Sequence, residues 1–250
     1  LSPEEQDITK GPPAERRSFF DRVFSVVSPE YLQTLQNYSR MLKQRNAALL
    51  QLRDNIIMEE DLEIWEKPLS ISGSKLWQLR GRFMADFCAL LVSVVHQYDS
   101  EIKMEILYSS PVQDEGQYQK KIVKKTRQDI SQGRTGYGPH RDDMVLNWSG
   151  RNIKSFGSQG EHKLCLIFLK LVELFFIKEK TGTSPTLLLD DLFAKLDLER
   201  SKNIVRLLQG FESSSGEPVQ TIVTTTDLLN VEHSGLMSAS PDHCTYHLER

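Results

Sequence analysis

A helix start in the second half of the chain carries residue types that can bind phosphate. The run Ser158-Gln159-Gly160-Glu161 opens a long apolar segment with the character of a helix. The first N–H groups of a helix lack intrahelical partners and carry partial positive charge. Serine adds a hydroxyl, and glycine lets a ligand approach the backbone closely. Because Ser-x-Gly is also an ordinary helix cap, the run alone supports either a phosphate-binding terminus or a simple cap.

Two adjacent carboxylates follow a buried strand pattern further along the chain. Residues 186–189 are bulky and suited to both faces of a parallel sheet, and Asp190 and Asp191 come next. One carboxylate at such a strand end can hold Mg²⁺, and a second can orient or deprotonate an attacking water. A helix cap after a core strand is the alternative. Asp197 and the run Thr224-Thr225-Thr226-Asp227, which ends a second strand pattern, favour the catalytic interpretation.

The glycine-rich loop that usually holds nucleotide phosphates does not occur in this sequence. None of the 250 residues belongs to a Gly-x-x-x-x-Gly-Lys-Ser/Thr run. The first residue is Leu1 rather than methionine, and the chain opens directly on a helix-like segment. We therefore expect the chain to be a piece of a longer protein.

Composition indicates a globular protein of the cytoplasm. Hydrophobic residues make up 39% of the chain, charged residues 26%, and the net charge is −3. Any contact with DNA must therefore come from a local basic patch. Cys88, Cys165 and Cys244 are far apart and odd in number, so we expect buried free thiols in a reducing compartment. No apolar run reaches the ~20 residues needed to cross a bilayer, and no signal peptide is present.

The pattern of helix and strand signals divides the chain into two lobes. Capping residues predict helices that begin near Ser2, Ala14 and Ser28. Period-two segments and turn residues then predict a strand over 102–108, a hairpin over 144–156, a helix over 160–180 and buried strands over 186–189 and 220–224. We predict a helical lobe with a return strand over residues 1–134 and part of an α/β lobe over 135–250.

The third predicted helix carries an apolar seam at near-heptad spacing. Its members are Tyr31, Leu35, Tyr38, Leu42, Leu49 and Leu52, and Arg45 interrupts them. The seam favours either a short coiled-coil arm or an amphipathic helix on a globular core. The expected partner is the apolar helix pattern over 76–98, which we expect to start near 71–74.

Basic residues in the helical lobe are candidates for contact with DNA. They are Arg16, Arg17, Lys43, Arg45, Lys120, Lys121, Lys124 and Lys125, the last four in a cluster that Arg127 extends. Charge on a helical arm also occurs simply as a solvated face. If these residues bind DNA, they should contact phosphates, and binding should weaken as salt rises.

Together these motifs resemble the RecF family of SMC-like, ABC-type ATPases. The order of the Ser-Gln-Gly-Glu helix, the Leu-Leu-Leu-Asp-Asp strand, Leu196-Asp197 and the Thr-Thr-Thr-Asp strand end is that of an ABC-type head. Family-like runs extend over the chain: Ser2-Pro3-Glu4, Arg16-Arg17-x-Phe19-x-Asp21, Leu42-Lys43-Gln44-Arg45-Asn46, Gly138-Pro139-His140-Arg141-Asp142-Asp143 and Phe156-Gly157-Ser158-Gln159-Gly160. The resemblance implies an α/β fold with an incomplete P-loop NTPase-like head lobe and a mostly helical second lobe.

The resemblance also implies a DNA-binding ATPase with ATP and Mg²⁺ as cofactors. By this resemblance, Asp190 would coordinate Mg²⁺ and Asp191 would be the catalytic carboxylate. Ser158, Gln159 and Gly160 would contact ATP held by a partner copy, Asp197 would lie at the dimer interface, and Thr226 would occupy the switch position. Glu161 and Lys195 stand where the family often has Gln and Glu.

The implied partners are DNA, a second copy of the protein and other repair proteins. The DNA would be single- or double-stranded and gapped, the homodimer would depend on ATP, and the proteins would be RecR-like and RecO-like. The implied role is to recognise gaps and help to load recombinase. A non-catalytic DNA or protein interaction module with a structural Asp pair, and a metal-dependent nuclease, remain alternatives from the residues alone.

The run Gly138-Pro139-His140-Arg141-Asp142-Asp143 has two possible roles. A histidine beside two acids could hold a metal, but no second His or Cys cluster is spaced to complete the site. We therefore favour a turn that orders the junction of the two lobes, with Arg141 paired to a carboxylate.

Overall fold

The computed structural model describes residues 6–109, 111, 114–183, 185–190, 198–215 and 220–224, together with positions 233 and 246. It is a mixed α/β protein with mostly helical content, as predicted. The helices are α1 Asp7–Lys10, α2 Pro13–Val27, α3 Pro29–Arg53, α4 Glu63–Tyr98, α5 Glu115–Gln132, α6 Ile153–Phe156, α7 Gln159–Thr181 and α8 Leu198–Ser215. The strands are β1 Met104–Tyr108, β2 Met144–Trp148, β3 Arg151–Asn152, β4 Leu187–Asp190 and β5 Thr221–Thr224.

Local capping explains where α2 and α3 begin and end. Pro13 occupies the first turn of α2, and the Ser28 hydroxyl accepts the Tyr31 N–H at 3.1 Å at the start of α3. Asn55, with φ at +57°, ends α3, and the Ile56 N–H then reaches the Gln51 carbonyl at 2.9 Å. These two helices confirm the sequence prediction. The helix start predicted at Ser2 lies outside the described residues.

Helix α4 starts earlier than predicted, and the Ser-Gly-Ser run lies in its interior. It begins at Glu63 and continues through Pro68. The Ser74 hydroxyl donates to the Ser70 carbonyl at 2.9 Å, so this serine is satisfied inside the helix. Gly73 is buried because the Tyr118 ring packs where a Cβ would project. Contact with Tyr118 on another helix therefore requires glycine at position 73, whereas the local sequence predicted that a helix starts there.

The core is formed mainly by α2, α4 and α7, with α3 packed along α4. Rings of Phe20, Phe24, Phe87 and Phe176 meet at centroid distances of 5.3 to 6.4 Å, mostly tilted or edge-on. The predicted seam of α3 faces α4, and Arg45 continues it as a buried residue. A smaller cluster of Ala48, Leu49 and Leu62 forms a separate core where α3 and α4 join.

Two small sheets follow the helical region in the chain. Strands β1, β2 and β3 are antiparallel, with Tyr108 opposite Met144, and β3 has only two residues because the chain then turns into α6. The second arm of the predicted hairpin is thus mostly helical. Strands β4 and β5 are parallel, as predicted, but the prediction that both strands are buried is wrong at Leu188 and Ile222, which are 64% and 50% exposed because no described element covers that face. The lobe boundary at 134/135 stays a prediction, since β1 and β2 join residues from both sides of it.

Two of the three cysteines lie in the described part of the chain, and both are free thiols. Cys165 is buried and Cys88 is half-buried, and burial raises the pKa of Cys88 to about 11. Cys244 lies outside the described residues. Among the helices that the structure describes, none combines the length and apolarity needed to span a membrane.

Candidate functional site

Ser158 caps α7 with a reciprocal pair of hydrogen bonds. Its hydroxyl accepts the Glu161 N–H at 3.3 Å, and the Glu161 carboxylate accepts the Ser158 N–H at 2.7 Å. Ser158 and Gln159 are exposed. The cap does not use the N–H groups of Gln159 and Gly160, which lie in the first turn where the helix carries partial positive charge. The structure therefore confirms the cap, and phosphate binding at this helix start stays a prediction.

The two glycines beside this cap differ in what the fold requires of them. A Cβ on Gly157 would lie 2.6 Å from the Ile153 carbonyl oxygen, so this position excludes a side chain. A Cβ on Gly160 would meet, among the described residues, only Arg200 Nη1 at 3.6 Å, an ordinary contact. The packing of the described chain thus explains Gly157 but not Gly160. The backbone at Gly160 is open to close approach from outside.

The parallel pair β4–β5 brings the predicted magnesium strand and switch strand to one edge. Asp190 is opposite Thr224 at the carboxyl ends of the two strands. A carboxylate there is a hard oxygen ligand of the kind that Mg²⁺ takes together with phosphate oxygens and water. The described residues contain no group of three or more potential metal ligands. Asp191, Asp197 and Thr226 lie outside the described residues, so their predicted roles stay predictions.

Residues 138–143 form a turn, and its Asp142 joins three elements. The Asp142 carboxylate accepts hydrogen bonds from Arg80 Nη1 at 2.7 Å, Trp77 Nε1 at 3.0 Å and the Tyr108 hydroxyl at 3.0 Å. Arg80 is 1% exposed and also binds Asp21 at 2.9 Å. The turn is therefore tied to α2, α4 and β1 by buried, charge-assisted bonds.

A second acid of the turn is held by the start of α2. Asp143 binds Arg16 through two bonds of 2.8 and 2.9 Å, and Arg17 donates to the Asp142 carbonyl at 2.7 Å. Arg141, which we expected to pair with a carboxylate, instead donates to the Thr135 carbonyl at 3.4 Å. The junction role is supported, but the cations that serve it are Arg16 and Arg80. Sequence reasoning missed Arg80, because its partners lie 49 or more residues away.

His140 is neutral in this turn. Its Nε2 lies 2.9 Å from the Thr135 carbonyl, which can only accept, so Nε2 carries the hydrogen. Nδ1 therefore accepts the Tyr38 hydroxyl at 2.6 Å. Burial lowers the pKa of His140 to about 4. Both ring nitrogens are engaged in the fold, which agrees with a structural turn rather than a metal site.

Arg45 and Arg16, two of the predicted DNA contacts, are structural. Arg45 has no exposed surface and binds Asp129 at 2.7 Å and Glu66 at 3.0 Å. Arg16 is only 5% exposed and is held by Asp143. A DNA phosphate could reach these guanidinium groups only by displacing the carboxylates that bind them. Both are therefore corrected from candidate DNA contacts to internal ion pairs.

The remaining basic candidates lie on the surface. Lys43 on α3 is exposed, Arg17 is half-buried, and the opposite face of α5 is buried at Tyr118, Ile122 and Thr126. Lys120, Lys121 and Lys124 are exposed and Lys125 is half-buried. Lys121 Nζ lies 4.3 Å from the centroid of the Tyr137 ring. We call Lys120, Lys121 and Lys124 the α5 basic face.

The fold and the site together define an ABC/SMC-type head protein. The features that point to this class are a serine-capped helix beside an antiparallel sheet, a parallel strand pair that ends on a carboxylate, and a helical second lobe.

No family model matches the chain. The chain is 35% identical over 229 residues to the DNA replication and repair protein RecF of Lachnoclostridium phytofermentans, covering 91% of the chain and 61% of the relative. It is 34% identical over 237 residues to RecF of Alkaliphilus oremlandii, with 90% and 62% covered.

Solved structures agree with these relatives. The recombination mediator protein RecF in its RecF-ATP form superposes with a TM-score of 0.77 at 28% identity, over 91% of the chain and 62% of that protein. Its RecF-ATPrS form gives 0.76 at 29% identity, with the same coverage. This chain belongs to the RecF family. It spans about three-fifths of the length of the relatives it matches.

Proposed function

We propose that this chain belongs to an ATP-dependent DNA-repair protein of the RecFOR pathway and supplies the surface that closes on ATP held by a second copy. The observation that carries the proposal is the open backbone at Gly160, which the fold of the described chain does not require to be glycine. The RecF-ATP relative supports the choice of nucleotide. The terminal phosphate would lie at the start of α7, where helix N–H groups, the Ser158 hydroxyl and the helix dipole favour an anion.

Asp190 and Asp191 would act on this subunit's own nucleotide. Asp190 would hold Mg²⁺, which when bound supplies neutralising charge to the phosphate oxygens. Asp191 would orient the attacking water and accept its proton. Asp197 would lie at the interface of the dimer and Thr226 at the switch position. In this arrangement ATP joins the two copies, and hydrolysis releases them.

DNA would be contacted by surface lysines rather than by the buried arginines. The α5 basic face and Lys43 are exposed cations that can bind phosphates. Contacts of this kind position a protein on DNA without reading its sequence. They fit a protein that recognises gapped DNA, and the family relationship supports a role in helping RecR-like and RecO-like proteins to load recombinase.

Two substitutions at Ser158 test the nucleotide site without removing the cap. Asp and Asn cap helices about as well as Ser, but only Asp adds a negative charge where the phosphate would lie. We expect Ser158→Asn to keep ATP-dependent dimerisation of the full-length protein, and Ser158→Asp to abolish it, in sedimentation velocity with and without ATP. Dimerisation of the Ser158→Asp protein at the wild-type ATP concentration would exclude the site.

Gly160→Ala adds an independent check at the same position. The methyl group fits the described packing, and Ala is favoured over Gly in a helix by up to about 1 kcal/mol. Thermal unfolding should therefore be unchanged or occur at a slightly higher temperature, while ATP-dependent dimerisation weakens. Gly157→Ala is the matched contrast, because it should lower the unfolding temperature by clashing with the Ile153 carbonyl.

A further inference from the structure

The connection between α3 and α4 exposes large apolar side chains in a short segment. Ile56 is 69% exposed, Met58 71% and Ile64 67%, which places them among the most exposed apolar residues of the described chain. We call residues 54–64 the arm tip. Single exposed apolar residues are ordinary, but three within nine residues of chain concentrate apolar surface in one short segment, and we call these three residues the apolar patch.

Acidic residues predominate in the arm tip, and Arg53, which lies next to it, pairs with Asp54 at 3.5 Å. Residues 54–64 contain five acids and no lysine or arginine: Asp54, Glu59, Glu60, Asp61 and Glu63. All five are exposed. The α5 basic face, on another helix of the same lobe, has the opposite charge. The lobe therefore has an acidic end and a basic flank.

The arm tip is held in a defined shape. Asn55 stops α3, the Ile56 N–H binds the Gln51 carbonyl at 2.9 Å, and the Met58 N–H binds the Asp61 carboxylate at 2.9 Å. Ile57, between the two exposed residues, packs on the small core of Ala48, Leu49 and Leu62, as do Leu52, Trp65 and Ile130. The exposed side chains are thus presented by an ordered support, which lowers the entropic cost of binding.

We propose that the arm tip docks a protein segment that combines apolar side chains with lysine or arginine. The apolar patch supplies contact area, and the acids around it favour a basic partner. Nucleic acid and anionic membrane surfaces are repelled by the five carboxylates. A second copy of the same tip would bring like charges together.

The direct test uses a peptide probe and the full-length protein. The probe is an amphipathic helical peptide of leucine and lysine, and its control replaces every lysine with glutamate. We expect the lysine peptide to bind and the glutamate peptide not to bind. Removing the patch with Ile56→Ser/Met58→Ser/Ile64→Ser, or the charge with Glu59→Gln/Glu60→Gln/Glu63→Gln, should each weaken binding about tenfold or more, measured by fluorescence anisotropy.

A matched variant separates docking from general surface hydrophobicity. Val26→Ser/Val92→Ser/Val123→Ser removes three valines that are 52 to 59% exposed outside the arm tip, and it should leave peptide binding unchanged. Equal binding of the lysine peptide to the tip variants and to wild type would overturn the proposal. So would loss of a dimer in the tip variants, which would assign the patch to a second copy.

Labelling then tests whether the patch is open in the full-length protein. Met58→Cys should react with a maleimide at the rate of a solvent-exposed thiol, and the lysine peptide should slow this reaction. A thiol that is already protected in the free protein would show that another part of the protein covers the tip, and the proposal would fail.

Discussion

Lys43 and Arg45 lie two residues apart on α3, yet they have opposite surroundings. Arg45 has no exposed surface and binds two carboxylates, while Lys43 is exposed to solvent. The same contrast separates Arg16 and Arg80 from the α5 basic face. A guanidinium offers five donors in a planar fork and suits several internal acceptors, whereas lysine ends in a compact, strongly hydrated charge. The comparison teaches that the buried arginines serve the stability of the fold, and it leaves the exposed lysines as the proposed DNA contacts.

The largest effect should come from removing the buried charge of α3. Arg45→Met keeps most of the side-chain volume but leaves Glu66 and Asp129 without their partner. We expect the free energy of unfolding to fall by about 3–5 kcal/mol, the range measured when one member of a buried ion pair is removed. Urea denaturation of the full-length protein, followed by circular dichroism, measures the change.

Lys43→Met is the matched control on the same helix. It removes an exposed charge, so unfolding should change by no more than about 0.5 kcal/mol. Equal destabilisation by the two variants would break the distinction between buried and exposed cations.

The next effect concerns the turn over residues 138–143. Asp142→Asn removes the negative charge that faces Arg80 and brings an amide NH₂ group toward Arg80 and Trp77, which only donate. We expect a loss of about 2–4 kcal/mol. Asp143→Asn should cost less, because the Asp143 side chain is 30% exposed and water can replace part of the bond to Arg16. The reverse order in thermal or urea unfolding would show that the junction depends on Arg16 more than on Arg80.

On the exposed side of the comparison, charge removal should affect DNA binding and not stability. Lys120→Gln/Lys124→Gln removes two charges from adjacent turns of one helix face. We expect the slope of log K against log salt to fall by roughly 1–2, with affinity lowered about tenfold at moderate salt. Lys67→Gln/Lys103→Gln removes two exposed lysines outside that face and serves as the control. If Lys120→Gln/Lys124→Gln kept the wild-type salt slope, the α5 basic face would not contact DNA.

The smallest effect is a dependence of stability on pH at His140. The pKa of His140 is about 4 in the folded protein and about 6.5 in the unfolded chain. Above pH 6.5 the histidine is neutral in both states, so the folded protein keeps its full stability there. This stability is lost as pH falls toward 4, because the unfolded chain then binds more protons. His140→Gln should lack the contribution, so that wild type loses about 1 kcal/mol more than the variant between pH 7 and pH 5.5. Parallel pH profiles would show that His140 does not titrate in this way.

Local sequence features predicted most helices and strands correctly. Proline and serine caps gave the start of α3, and the Ser158 run gave the start of α7, because these bonds join residues three positions apart. The order of the site elements was predicted for the same reason. Helix α4 was placed too late, since the surroundings of Gly73 depend on Tyr118 on another helix.

Arg45 shows that a charged residue can occupy a buried position in an apolar seam. The spacing of the α3 seam places a buried residue at 45, but the charge of arginine suggested a break. Its partners Glu66 and Asp129 lie 21 and 84 residues away, so neither could be paired with it from the sequence. The network around Arg80 was missed for the same physical reason.

The length of helix α4 has a mechanical consequence. Its 36 residues make a rod about 54 Å long, from the arm tip at one end to Tyr98, whose ring lies 5.0 Å from that of Phe168 on α7, at the other. A tilt of about 5° at the Tyr98 end would move the arm tip by about 5 Å, so a small change beside α7 becomes a large displacement at the far end. Helix α4 would therefore act as a lever that moves little beside α7 and far at the arm tip.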